Sequence, residues 1–133
     1  MTRGQALAAV VILHFGINIV HGRAHEGAQV PLSFAAGLFV YIVILAGPLV
    51  GLGVWRWRPQ LGGWLVAACM SGALVFGVIN HFIIDGPDQV GYVAVEWRSL
   101  FGATAALLVV CEAAGAAVGL WSGAGLRHQS RRP

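Results

Sequence analysis

The sequence has no lysine, and its 133 residues carry only eight arginines and five acids. That is 10% charge where an ordinary soluble domain has about 25%, so the chain is not built to be solvated on every side. Disorder is excluded as well, because disordered chains are rich in charge and poor in apolar residues, and 58% of this chain is hydrophobic. There are two cysteines, Cys69 and Cys111, both inside apolar runs, so a stabilising extracellular disulfide is not expected. A C-x-x-C pair, a phosphate-cradling glycine loop and a nucleophile elbow are all missing, which removes the chemistries those motifs serve. The arginines sit at the ends of apolar runs instead of forming a basic, aromatic surface, so nucleic acid is not an expected partner.

What is present is long apolar runs. A membrane-spanning helix needs about 20 apolar residues, and the chain supplies four such stretches, at 5–25, 32–55, 61–84 and 99–121. The gaps between them hold breakers: Pro31 closes the first, Arg56, Arg58 and Pro59 form the second, and Asp85-Gly86-Pro87-Asp88 opens the third. The fold class that follows is an all-α integral membrane protein of the cell membrane, with four transmembrane helices in an up-down bundle over residues 1–121 and the lipid bilayer as its first partner. Residues 122–133 read as a basic, flexible cytoplasmic tail. The amino end also resembles a secretory signal, with Arg3 ahead of an apolar stretch. Polar His14 and Asn18 interrupt that stretch and no cleavage site follows, so an uncleaved first helix is expected.

Charge sets the orientation. Arg3, Arg56, Arg58, Arg127, Arg131 and Arg132 fall on one side of a four-span bundle and only Arg23 and Arg98 on the other, which predicts cytoplasmic N and C termini. Trp55, Trp57, Trp64 and Trp121 then mark the inner interface, and Tyr92 and Trp97 the outer one. Gly47 with Gly51, and Gly115 with Gly119, are small-xxx-small pairs suited to close helix packing within the bundle or, as a second choice, to homodimerisation. Pro48 predicts a kink.

Against so apolar a background the few polar side chains stand out. His14, Asn18, His21 and His25 are spaced 4, 3 and 4 residues apart and line one face of the first helix. The third helix ends with His81 and Asp85, again four apart, and under the predicted topology they reach the same outer end. Imidazoles with an admixed carboxylate suit a transition-metal ion, and ionisable groups in a membrane are costly unless they serve a function. The expected ligands are His21, His25, His81 and Asp85, with Glu26, Asp88 and Glu96 as carboxylates behind them. The bland reading is that His21 and His25 end their helix at headgroup level and that Asp85 and Asp88 serve a turn.

A second layer lies deeper. At 1.5 Å per residue, His14 stands about 13 Å above the inner end of its helix, Cys69 about 12 Å and Glu112 about 14 Å. Glu112 is the only acid within a span, and an unpaired carboxylate there needs a partner. His14, with Asn18 beside it, is the expected partner, as a structural pair or a proton relay. Cys69, Cys111 and Met70 read as core fillers.

Three functions compete. The first is a metal-binding, redox or catalytic membrane protein, whose cofactor is a transition-metal ion or, as a variant, haem b between His21 and His81. The second is a small oligomeric transporter or proton-conducting protein that uses Glu112 and His14. The third is a non-catalytic accessory subunit of a larger membrane complex. Whether the protein is an enzyme is left open by the sequence.

Overall fold

The computed structural model describes residues 1–124. Among them are four helices long and apolar enough to cross a membrane: α1 (Arg3–Gly27), α2 (Phe34–Trp55), α3 (Pro59–Ile83) and α4 (Val95–Ala124). Their starts follow local chemistry. Thr2 caps α1 in a reciprocal capping box, its hydroxyl accepting from the Gln5 N–H and the Gln5 side chain accepting from its own N–H. The Ser33 hydroxyl accepts from the Ala36 N–H to cap α2, and Pro59 opens α3 with its φ preset for a helix. Helix α4 begins four residues before the apolar run, because Arg98 anchors its first turn by donating from Nε and Nη2 to the carbonyl of Val93. It also continues to Ala124, so residues 122–124 of the expected tail are helical and the remainder of that tail lies outside the described residues.

Helix α4 packs against both α3 and α1, while α2 lies on the far side of α3 and touches α1 chiefly through its last turns, Gly47–Trp55. The helices meet at backbone distance where glycine allows it. A Cβ on Gly62 would stand 2.6 Å from the carbonyl oxygen of Gly51, and one on Gly119 would stand 2.7 Å from the backbone nitrogen of Ala67. The small-xxx-small pairs are thus engaged inside one chain: Gly47 and Gly51 against α3, Gly115 and Gly119 against Met70 and Ala67.

Two apolar clusters fill the bundle. Leu7, Val11, Val66 and Met70, all fully buried, close the end that carries Arg3, Trp55 and Trp121. Ala24, Val93 and Phe101 form the core of the opposite end. The outer surface is apolar too, with Phe34, Tyr41, Val75, Val95 and Val110 each more than half exposed, as suits helices that face lipid.

Two segments leave the α-helical path. Residues Val40–Ala46 of α2 are π-helical and run directly into Gly47-Pro48, where proline has no N–H and its ring crowds the carbonyl four residues back. The perturbation expected at Pro48 as a kink takes this form. Helix α3 ends in a second π-helical stretch, Ile79–Ile83, closed by the Ile84 N–H donating to the carbonyl of Ile79 at 2.8 Å. Both stretches border the site described next.

Candidate metal centre

His21 lies on the inward face of α1, and His25 one turn further along it. Helix α1 ends at this point: Gln29 takes a left-handed backbone (φ 53°) and the Val30 N–H donates to the carbonyl of His25. His81 comes from the π-helical turn of α3. One ring nitrogen from each histidine falls in a group whose members all lie within 4.8 Å of one another. Phe101 of α4, fully buried, is the floor on which they stand, its ring centroid 4.8 Å from His21, 4.7 Å from His25 and 5.2 Å from His81.

Hydrogen bonds orient the rings. The Thr104 hydroxyl has one proton, which it donates to the Leu100 carbonyl at 2.7 Å, so it accepts from His21 Nδ1 at 2.8 Å. His81 Nδ1 faces two acceptors, the carbonyl oxygen of Asp88 at 3.1 Å and its carboxylate Oδ1 at 3.1 Å, so this nitrogen also carries a proton. The consequence is unusual. His21 Nε2 and His81 Nε2 point at each other across 3.3 Å, and in the neutral rings both are lone pairs. A cation between them turns that repulsion into attraction. His25 completes the set: its Nε2 lies 3.4 Å from Asp88 Oδ1, and its Nδ1 is buried with no hydrogen-bond partner. His21 Nε2 and His81 Nε2 are thus left free, and His25 brings one ring nitrogen into the same group.

The carboxylates divide differently from the sequence expectation. Asp85, expected as a ligand, is exposed and outside the group. The i, i+4 relation to His81 needs a continuous α-helix, but the chain makes a π-helical turn and then extends at Ile84 (ψ 126°), which carries Asp85 away. Asp88 takes the inner place, because the turn after Gly86-Pro87 folds back and the Val90 N–H donates to the carbonyl of His81. Glu26 is exposed and paired with Arg23, and Glu96 is exposed in the first turn of α4. Neither reaches the histidines. Thr104 and Phe101 were not singled out from the sequence. A threonine and a phenylalanine three residues apart in an apolar helix look like ordinary core residues, and only their position opposite His21 distinguishes them.

The deeper layer also assembles. His14 Nε2 lies 3.2 Å from Glu112 Oε1, with both side chains almost wholly buried. Asn18 donates to the His14 carbonyl at 2.9 Å and also lies 3.0 Å from His14 Nε2. Cys111 points at the Val10 carbonyl, and Cys69 packs where Gly47 leaves room, both as free thiols. Between the two layers is a cavity of about 210 Å³ that borders His21, His25, His81 and Asp88 at one end and Asn18 and Glu112 at the other.

No protein-family model, curated protein or solved structure matches the chain.

Proposed function

We propose that this chain is an integral membrane metalloprotein that binds one transition-metal ion through His21, His25 and His81, near the outer face of the cell membrane. The supporting observation is the opposed pair of Nε2 lone pairs 3.3 Å apart. Two nitrogens bound at about 2.0–2.1 Å to one tetrahedral ion stand about 3.3–3.4 Å from each other, so this pair already has the spacing of two ligands. A shared proton would satisfy the pair alone, but the third ring nitrogen that His25 brings within 4.8 Å favours a metal. Thr104 and Asp88 hold the opposite ring nitrogens, the usual way in which metal-binding imidazoles are fixed in tautomer and direction.

Three imidazole ligands would leave a fourth position for the cavity that the histidines border. That is the pattern of catalytic sites rather than closed structural ones. A metal bound there would act as a Lewis acid or redox centre, and imidazole suits zinc, copper, iron or nickel. Asp88, between His25 and His81, is placed to take up or release a proton beside it.

The geometry favours this reading over haem. Two axial ligands of a haem iron need a porphyrin slab between them, whereas His25 and Phe101 pack directly against the His21–His81 pair. The cavity is also below the roughly 300–1,000 Å³ of sites for drug-sized ligands. Proton conduction through a single bundle is disfavoured by the buried apolar plug of Leu7, Val11, Val66 and Met70 beyond the His14 layer.

The test is to purify the full chain in mild detergent, record its visible spectrum and measure its metals by mass spectrometry, beside a His21→Ala, His81→Ala double variant. The expected result is about one equivalent of a first-row transition metal, no Soret band, and loss of the metal in the variant. A colourless protein that takes up no metal would sink the reading.

A further inference from the structure

Glu112 carries a second feature that the metal site does not use. Its Oε1 is engaged by His14, while its Oε2 is buried with no hydrogen-bond partner. Oε2 is also the atom 3.8 Å from where a Cβ on Gly77 would stand, and Gly77 and Glu112 both line the cavity. Like His25 Nδ1, Asp88 Oδ1 and Ser122 Oγ, this buried atom has no hydrogen-bond partner, and a carboxylate oxygen in that position calls for a donor. The space in front of it is mostly apolar, walled by Ile44, Phe76 and Leu108, with Tyr41 at its rim.

Size narrows the class of donor. An apolar cavity of about 150 Å³ admits one benzene molecule, so about 210 Å³ takes a single substituted ring and little more. The way in is also defined. Gly22 of α1 and Tyr41 of α2 line the cavity and are both exposed, and in this half of the bundle α1 and α2 do not close on each other, since their packing is concentrated at Gly47–Trp55. A mouth between two helices with apolar outer faces opens sideways to lipid.

We infer that this cavity is a binding site for a single-ring phenol taken up from the bilayer between α1 and α2, its ring against Phe76 and Leu108 and its hydroxyl donating to Glu112 Oε2. The side of access rests on the membrane reading above. The binding itself needs no metal, so the two readings can fail separately. Gly77 is the residue that keeps the polar end open, because any side chain longer than alanine there would project between Glu112 and His81.

The experiment uses the full chain in nanodiscs, with 4-methylphenol and p-xylene as probes of nearly equal shape, titrated calorimetrically and with metal content measured on the same samples. The expected outcome is that 4-methylphenol binds at least about tenfold more tightly than p-xylene, the size of one hydrogen bond to a carboxylate. Glu112→Gln should reduce that preference to below about threefold. Gly77→Leu should abolish binding of both probes, and Ala105→Leu fills the same space from α4 if the first variant does not fold. Equal affinity for the two probes in the unaltered chain, or undiminished binding in a folded filled variant, would overturn the inference. A phenol preference in protein that takes up no metal would leave it standing and overturn the metal reading alone.

Discussion

Asp88 shows how much one side chain can arrange. Its Oδ1 lies 3.1 Å from His81 Nδ1 and 3.4 Å from His25 Nε2, so a single carboxylate faces two imidazoles and would place negative charge behind a bound cation. Replacing it by asparagine removes the charge and keeps the size. Asp88→Asn should weaken metal binding by about 10–100-fold while leaving the helix content by circular dichroism unchanged. Thr104→Val is the matching change at His21, since it deletes the acceptor that keeps the proton on Nδ1 and turns Nε2 toward the site. It should lower affinity in the same range, and an affinity equal to that of the unaltered chain would show that the tautomer is not held by Thr104. Acid should release the metal, because protons compete for the same imidazole lone pairs, so affinity measured by a chelator titration should fall as pH is lowered and recover when it is raised.

At the level of the helix, glycine positions separate into those in contact and those that are free. A Cβ on Gly119 or Gly62 would collide with the backbone of a neighbouring helix, whereas nothing lies within 4 Å of one on Gly16 or Gly53. Gly119→Ala should therefore cost about 1–3 kcal/mol through forced helix separation, and Gly53→Ala should be neutral or stabilising by up to about 1 kcal/mol. Unfolding in detergent with an added denaturant would measure both, and equal effects would contradict the packing described. The helices are also where the sequence is most and least readable. Their number and approximate ends follow from apolar length, and the 4, 3, 4 spacing from His14 to His25 follows from the period of an α-helix. The exchange of Asp85 for Asp88 does not follow, because it depends on a π-helical turn at Ile79–Ile83 that has no proline or glycine to announce it. The stretch at Val40–Ala46 is different, since Pro48 announces a disturbance but not its form.

Among the described residues, Leu7, Val11, Val66 and Met70 close one end of the bundle, Phe101, Ala24 and Val93 pack around the histidines at the other, and Glu112 and the cavity lie between. With 10% charge, a chain of this size cannot scatter ionisable groups, and the pairing of His14 with Glu112 was readable from depth alone because so few partners exist. The arginine asymmetry adds a prediction at this scale. A reporter enzyme active only outside the cytoplasm should work when inserted at residues 28–33 and fail at residues 56–58, and the reverse pattern would invert the bundle. The three-imidazole metal site is tested most directly by X-ray absorption at the edge of whichever first-row metal the protein takes up. The expected spectrum shows three imidazole nitrogens at about 2.0–2.1 Å with no sulfur scatterer and no porphyrin signature. A site dominated by sulfur or porphyrin scattering, or a spectrum unchanged by His25→Ala, would contradict it.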